Sequence, residues 1–214
     1  MNLSPNHGPR RDGLRPELVV LHYTAMPDAA SAKRALCDPA REVSAHWLIA
    51  RDGQVVQLVD EELRAWHAGA GQWRGRGDVN SRSIGIELDN DGASPFAAAL
   101  MDALEGLLAG ILARWSIPPS GVIAHSDMAP GRKRDPGPRF DWLRLARQGM
   151  AVWPECEAPT CPDADAFRRH ARAFGYPEVE DALLLETFRL RFRPGAKGPL
   201  DGIDCALAAA LLRD

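Results

Sequence analysis

The chain has 214 residues, of which 45% are hydrophobic and 26% are charged. These proportions are typical of a folded globular protein, and they exclude intrinsic disorder, collagen-like repeats and a small disulfide-stapled scaffold. The net charge of −3 leaves no basic surplus, so we expect no nucleic-acid partner. The longest apolar run, Cys205–Leu212, is far shorter than the roughly 20 residues of a membrane helix, so we expect no membrane partner.

The N-terminal part of the chain predicts an arm, a strand and a helix. Residues 1–16 are polar and contain Pro, Gly and Arg, which is typical of a loose arm. The apolar run Leu18–His22 predicts a short buried strand, and polar residues begin where it ends. Pro27–Leu36 then predicts a helix, which Asp38-Pro39 ends.

The next segment predicts a hairpin, a long loop and another strand. Ala45–Ala50 and Val55–Val59 flank an Asp-Gly pair that accepts the positive φ of a tight turn, so we expect a β-hairpin. Trp66–Asn80 is rich in Gly, Trp and Arg and has no sustained periodicity, which favours a functional loop. Ser83–Leu88 predicts the strand that follows.

A long amphipathic helix and a further strand complete this region. Ser94-Pro95 predicts the start of the helix, with Ser as the N-cap and Pro at the first helical position, and Pro118-Pro119 predicts its end. Apolar residues repeat on one face of this helix with a period of 3.6, at Phe96, Leu100, Leu104, Leu107, Leu108, Ile111 and Trp115. Val122–His125 predicts the strand. Since strands and helices alternate, we expect an α/β fold with a mixed central β-sheet flanked by helices.

The composition changes near Trp153-Pro154, after which the pattern is helical. Three stretches, Asp163–Phe174, Val179–Phe192 and Gly202–Arg213, predict a small C-terminal all-α domain. We therefore divide the chain into residues 1–154 and residues 155–214. The second unit is too small to bury much apolar area alone, so we expect it to dock on the first.

Three polar residues lie where predicted strands end: His22, Glu87 and His125. Because strand ends and the loops after them build active sites, we expect His22 and His125 to converge at one edge of the sheet. A hydrolytic zinc site needs three protein ligands and one open position. The third ligand is either Asp127 or Asp135, and spacing alone does not decide between them.

Two further polar residues fit the chemistry of hydrolysis. Glu87 lies inside the strand Ser83–Leu88 and offers a carboxylate as a general base. Lys133 offers a point charge that stabilises an oxyanion. The alternatives from the residues alone are an ordinary ion pair for Glu87 and a solvated charged turn for the run 132–134.

Five motifs occur in order between Leu18 and Trp142. Together they resemble the zinc N-acetylmuramoyl-L-alanine amidases of the type 2 amidase family, which share their fold with the peptidoglycan recognition proteins. The motifs are LHYTA, VSAHWLIARDGQVVQLV, RAWHAG, N-SRSIGIEL and AHSDMAPGRKRDPGPRFDW. The helical tail, through its ETFRLRFRP segment, is similar to a small peptidoglycan-binding-like domain.

The resemblance assigns roles residue by residue. It implies that His22, His125 and Asp135 bind zinc, so it selects Asp135 over Asp127. It also implies that Glu87 is the catalytic acid and base and that Lys133 acts beside the metal. The implied reaction is hydrolysis of the amide bond between N-acetylmuramic acid, or its 1,6-anhydro form, and L-alanine.

Five residues are predicted to bind the substrate, a muropeptide or peptidoglycan. The resemblance places RAWHAG along the sugar–peptide groove, so Trp66 lines that groove or, alternatively, packs in the core, and His67 and Asn80 lie beside it. Arg132 and Arg134 are predicted to meet the acidic stem peptide, because arginine binds carboxylates in a bidentate manner. His46, in the middle of a predicted strand, is expected to be a buried, hydrogen-bonded histidine.

The sequence distinguishes between three possible functions. A zinc amidase acting in cell-wall recycling agrees with the full set of five ligand and catalytic residues; a binding module that has lost a ligand does not. The absence of G-x-S-x-G and H-E-x-x-H motifs disfavours serine hydrolases and helical zinc proteases. We expect a monomer in the cytoplasm, since the N-terminus contains no apolar signal core; a periplasmic enzyme is the alternative if a leader was removed.

Overall fold

A mixed five-stranded sheet lies at the centre of the protein. The structure is a computed structural model and describes residues 3–156 and 158–212. The strands of the described ranges are β1 His7–Pro9, β2 Leu18–Tyr23, β3 Trp47–Ile49, β4 Val55–Gln57, β5 Leu63–Ala65, β6 Ser83–Leu88 and β7 Val122–Ala124. The central sheet has the order β4-β3-β6-β2-β7, and β1 pairs with β5 in a separate two-stranded ribbon. Only the β3–β4 hairpin of the central sheet is antiparallel, which confirms the predicted mixed sheet.

Helices cover both faces of this sheet. Those of the described residues are α1 Ala29–Leu36, α2 Val79–Arg82, α3 Ala98–Trp115, α4 His125–Met128, α5 Trp142–Arg147, α6 Ala164–Phe174, α7 Asp181–Phe192 and α8 Gly202–Ala210. Aspartates cap several of them: Asp28 accepts a hydrogen bond from the amide of Ser31 at 2.7 Å, and Asp163 accepts one from the amide of Ala166 at 2.9 Å. None of the described helices is long and apolar enough to span a bilayer.

The alternation of side chains along β2 separates two hydrophobic cores. Val19 and Leu21 pack with α3, and Leu18 and Val20 pack with the C-terminal helices on the opposite face. In a strand, successive side chains point to opposite faces, so His22 shares the face of Leu18 and Val20. The polar end of β2 therefore lies on the side away from α3.

The C-terminal helices α6, α7 and α8 pack against the central sheet, as expected. Phe174 and Phe188 of these helices belong to the same core as Val20 and Ile123 of the sheet. Trp73, from the long loop, is fully buried against Phe174, with ring centroids 5.6 Å apart. Close contact is essential here: a Cβ on Gly175, where α6 ends with φ +150°, would lie 2.5 Å from the Trp73 ring.

A buried ion pair joins α7 to α4. Arg191 of α7 donates to the Asp127 carboxylate at 2.8 Å, and the Tyr176 hydroxyl donates to the same carboxylate at 2.9 Å. The Arg191 and Asp127 side chains are 1% and 0% exposed. Asp127 also accepts from the amide of Ala124, so it ties α4 to the C-terminal helices.

Several predicted boundaries differ from the structure. The long helix starts at Ala98, because the Ser94 hydroxyl and amide bind the Asp91 carboxylate and do not cap a helix. Residues of the N-terminal arm are not loose: Ser4 and Asn6 are buried, and Arg10 donates to the backbone carbonyls of Glu61, Ser81 and Ser83. The strands β1 and β5 and the short helices α2, α4 and α5 were not predicted, and the end of the predicted helix Gly202–Arg213 lies outside the described residues.

We predict that Arg191→Ala destabilises the whole protein. The substitution leaves the Asp127 carboxylate buried without its cation, which typically costs about 3–5 kcal/mol of folding free energy. Urea denaturation followed by circular dichroism measures this loss. Arg168→Ala is the matched control, because Arg168 pairs with the exposed Asp165 and Asp181 and its loss should cost much less. An equal loss in both variants would show that the buried pair does not hold the units together.

Candidate metal centre and active site

The register of two parallel strands brings a histidine and a glutamate side by side. His22 of β2 and Glu87 of β6 are partners in the β-ladder, each one residue before the end of its strand. Register partners of a parallel pair point to the same face, so both side chains lie on the face opposite α3. This edge opens into a cavity of about 430 Å³, which both residues line.

Three side chains converge beside Glu87. His125 is the first residue of α4, directly after β7, and Asp135 lies in the loop that follows this helix. The Ser126 amide donates to the backbone carbonyl of Asp135 at 3.0 Å and holds the loop against the helix. The Nδ1 atoms of His22 and His125 are 2.8 Å apart, and they lie 3.0 and 2.8 Å from the Asp135 Oδ2 atom.

The donor set of this cluster fits a metal ion. The His125 Nε2 atom is bonded to the Ala68 carbonyl at 2.9 Å, and a carbonyl only accepts, so the ring proton is on Nε2 and the Nδ1 lone pair faces the cluster. Two imidazole nitrogens and a carboxylate oxygen form the kind of set that zinc binds in hydrolytic sites. All three residues are buried, and their ligand atoms lie within 4.8 Å of one another. The group is therefore able to bind a metal.

The electrostatics of the cluster favour the ligand forms of these residues. Burial lowers the pKa of His22 to about 4, and the neighbouring His125 adds to this shift. Burial alone would raise the pKa of Asp135, but the close approach of the His125 and His22 imidazoles to its carboxylate outweighs burial and holds the pKa below the ordinary range. Metals bind neutral imidazole and ionised carboxylate, which are the forms these shifts favour.

Glu87 and Lys133 flank the cluster in the same cavity. The Glu87 Oε2 atom is enclosed and has no hydrogen-bond partner among the described residues. Burial raises the pKa of Glu87 well above its ordinary range, Asp135 adds to the rise, and Lys133 opposes it. A carboxyl group with a raised pKa beside a metal site is suited to take up and release a proton.

The predicted substrate residues occupy different positions. Trp66, Arg132 and Arg134 line the cavity. The Arg132 guanidinium donates to the carbonyls of Ala68 and Ala70, and Arg134 forms an ion pair with Glu186 of α7. Both arginines are exposed, although their guanidinium groups make these contacts.

Two other predicted substrate residues are buried and bonded to the protein. Asn80 does not line the cavity; its side-chain carbonyl accepts from the amides of His67 and Ala68 at 3.0 and 2.8 Å. This position does not support the predicted substrate contact of Asn80. His67 borders the cavity, but its ring is bonded to His22 and Ser83. His46 is buried and hydrogen-bonded, as expected.

Part of the cavity wall is formed by residues that the sequence does not predict as functional. Tyr23 and Thr24 line it directly after His22, and Ala32 and Leu36 of α1 form its apolar side. The motif LHYTA contains the first two residues, so position next to a candidate ligand is the signal that points to them. The contribution of α1 has no local signal, because it depends on how this helix packs across β3.

A sequence profile described as N-acetylmuramoyl-L-alanine amidase matches residues 12–138. This range holds the three residues of the metal cluster together with Glu87 and Lys133. The chain belongs to the N-acetylmuramoyl-L-alanine amidase family. The predicted family and the predicted enzyme class are therefore confirmed.

Individual amidases resemble the chain closely. It is 37% identical over 231 residues to the N-acetylmuramoyl-L-alanine amidase AmiD of Escherichia coli K12, a match that covers 92% of this chain and 83% of that protein. The structure of AmiD in complex with the substrate anhydro-N-acetylmuramic acid-L-Ala-D-gamma-Glu-L-Lys superposes with a TM-score of 0.83, at 36% identity, covering 94% of this chain and 91% of AmiD.

Two further amidases show the same relationship. AmpDH3 of Pseudomonas aeruginosa in complex with anhydromuramic pentapeptide gives a TM-score of 0.81, with 34% identity and coverage of 94% of this chain and 92% of AmpDH3. The 1,6-anhydro-N-acetylmuramyl-L-alanine amidase AmpD of Enterobacter cloacae is 35% identical over 159 residues, which cover 66% of this chain and 85% of AmpD. AmiD and AmpDH3 therefore match this amidase across nearly its whole length, including the C-terminal helices.

We predict that His46 makes the stability of this amidase depend on pH. Burial lowers the pKa of His46 to about 3, whereas an unfolded histidine titrates near 6.5. Between these values the unfolded chain binds the extra proton, so stability falls as the pH falls from about 6.5 towards 3. In this window His46 contributes about 1.4 kcal/mol per pH unit.

The variant His46→Gln removes this contribution, so its stability should fall less steeply than that of the wild type. Urea denaturation at pH 7, 6 and 5 measures both slopes. The exposed His7 gives the control variant His7→Gln, which should follow the wild type. Parallel curves for His46→Gln and the wild type would contradict the prediction.

Proposed function

We propose that this chain is a zinc-dependent amidase that hydrolyses the bond between N-acetylmuramic acid, or its 1,6-anhydro form, and the L-alanine of the stem peptide. One observation carries the proposal: His22, His125 and Asp135 converge at the base of a cavity that Glu87 and Lys133 also line. A binding module needs neither a ligand triad nor an enclosed carboxyl group, so this set favours catalysis.

The ligand set is suited to zinc. Two histidines and one carboxylate are typical of zinc hydrolases, in which the fourth position stays open. Zinc in such a site acts as a Lewis acid that polarises an amide carbonyl and makes water more acidic.

Glu87 is the proton carrier of the proposed reaction. As a base it removes a proton from the attacking water, whose oxygen forms a bond to the carbonyl carbon of the lactyl group. The carbon–nitrogen bond then breaks, and the proton passes from Glu87 to the leaving amino group of L-alanine. The unpartnered, enclosed Oε2 atom supports this role, since no protein donor competes for it within the described ranges.

Lys133 stabilises the charge that develops on the amide oxygen. It lies two residues before Asp135 and lines the same cavity. One well-placed donor of this kind is typically worth about 10²–10³ in rate. Trp66 offers a flat apolar face for the sugar, and Arg132 and Arg134 offer positive charge to the carboxylates of the stem peptide.

Recycled anhydro-muropeptides are the proposed substrates. The E. coli and Pseudomonas structures that resemble this chain contain anhydromuramyl peptides, and AmpD is named for the 1,6-anhydro sugar. We propose that this chain acts on small soluble fragments in the cytoplasm. The alternative is a periplasmic amidase that cleaves intact peptidoglycan.

The first test of the proposal is metal-dependent amide cleavage. We expect the protein to release peptide from anhydro-N-acetylmuramyl peptides, to lose this activity after treatment with a chelator and to regain it with stoichiometric zinc. Chromatography of the products measures the release. Full activity after exhaustive chelation would contradict the zinc mechanism.

A substitution of Glu87 separates chemistry from binding. Glu87→Gln keeps the size of the side chain but removes the base, so we expect kcat to fall by at least 10²-fold while zinc content and fold are unchanged. Glu62→Gln, on the exposed surface, is the control. A Glu87→Gln variant with altered KM and normal kcat would mean that Glu87 only contacts substrate.

Substrate preference distinguishes the two biological roles. We expect the rate of peptide release from soluble anhydro-muropeptides to exceed the rate of release from insoluble sacculi. Both rates are measured at matched concentrations of cleavable bonds. Cell fractionation of the native producer should find the protein in the cytoplasm. A periplasmic protein that releases peptides efficiently from sacculi would overturn the recycling role and leave the amidase chemistry intact.

A further inference from the structure

A chain of polar side chains runs along the sheet behind His22. The His67 ring lies between His22 and Ser83 on the face that carries the metal cluster. Its Nδ1 atom is 3.0 Å from the His22 Nε2 atom, and its Nε2 atom is 3.1 Å from the Ser83 hydroxyl. The Ser83 hydroxyl in turn donates to the Val79 carbonyl at 2.6 Å.

The Val79 carbonyl at the end of this series of side chains determines the direction of every hydrogen bond in the series. Ser83 has one hydroxyl proton and gives it to Val79, so its oxygen accepts from His67. A neutral His67 has a single N–H, which this bond places on Nε2, so its Nδ1 atom accepts. His22 must therefore donate from Nε2, and its Nδ1 lone pair is left facing His125 and Asp135.

The sheet provides the space that this arrangement needs. His67 stacks on the backbone of Gly85, the residue of β6 between Ser83 and Glu87. A Cβ on Gly85 would lie 2.4 Å from Cγ and 2.6 Å from Nδ1 of the His67 ring. The glycine of SIGIEL is thus explained by the histidine of RAWHAG, which takes the place of its side chain.

The two histidines of the cluster are fixed in different ways. His125 donates its single N–H, on Nε2, to a backbone carbonyl, that of Ala68, which no substitution of a side chain removes. His22 donates to another side chain, so its orientation depends on His67 and Ser83. Partners of this kind typically change metal affinity 10–100-fold when they are removed.

We propose that His67 is a positioning residue of the metal site and not a substrate contact. With Ser83 it fixes the tautomer and ring orientation of His22, and Gly85 is required because the His67 ring fills the space above it. The inference rests on the proposed function in one respect, namely that the cluster of His22, His125 and Asp135 binds zinc.

The test measures zinc affinity by competition with a chromophoric chelator, without substrate. His67→Phe keeps a flat ring but leaves the His22 N–H without an acceptor, so we expect affinity to fall 10–100-fold. His67→Gln keeps one acceptor and one donor and should restore most of the affinity. His7→Gln is the matched control, because it makes the same substitution at an exposed position; its affinity should equal that of the wild type.

Gly85→Ala tests the spatial part of the inference. It should weaken zinc binding in the wild type but add little in the His67→Ala background, because the ring it displaces is already gone. Nitrogen-15 NMR of the histidine rings provides a readout besides affinity: the Nε2–H tautomer of His22 should dominate in the wild type and lose its dominance in His67→Phe.

The outcomes separate this inference from the proposed function. Wild-type protein that binds zinc, together with a His67→Phe variant that binds it equally tightly, would overturn the positioning role alone. An unchanged zinc affinity combined with a raised KM in His67→Phe would make His67 a substrate contact and overturn the inference as well. Wild-type protein that binds no zinc would overturn both.

Discussion

The architecture of the site depends on three lone pairs that point at one another. The Nδ1 atoms of His22 and His125 and the Oδ2 atom of Asp135 lie within about 3 Å of one another in a buried space. Electron-rich atoms at this separation repel unless a proton or a cation lies between them. A divalent cation satisfies all three together, so the cluster makes physical sense as a metal site, and the surrounding structure serves to hold it.

The two faces of the central sheet have different roles in holding the cluster. One face is a continuous apolar contact with α3, which fixes the strands and their register. The other face carries His22 and Glu87 as neighbours, and α1 and the C-terminal helices cover it on either side of the cavity. The residues that line the cavity lie between His22 and Asp135, and the C-terminal helices support them from outside: the buried contact of Arg191 with Asp127 fixes the helix that begins with His125.

The sequence predicts the parts of the fold that local patterns determine, and it fails where distant contacts decide. Strand ends and the motifs around them indicate the proposed ligands and the proposed acid–base residue. Spacing does not separate Asp127 from Asp135, because the distinction comes from Arg191, 64 residues away, which binds the first and leaves the second for the cluster. The predicted start of the long helix at Ser94 is wrong for a related reason, because the Ser94 hydroxyl binds a side chain of its own loop and does not cap the helix. The half-buried Arg10 of the N-terminal arm likewise donates to carbonyls 51 and 71 residues away.

X-ray absorption at the zinc edge of the reconstituted protein tests the central claim most directly. We expect one zinc per chain, with two nitrogen ligands at about 2.0–2.1 Å, and we expect the remaining ligands to be oxygen atoms at about 2.0–2.2 Å. We also expect Asp135→Ala to lose most of the metal, while Asp165→Ala, at an exposed position, retains it. A zinc–sulfur distance of about 2.3 Å, or full occupancy in Asp135→Ala, would contradict the assignment of His22, His125 and Asp135 as the metal site.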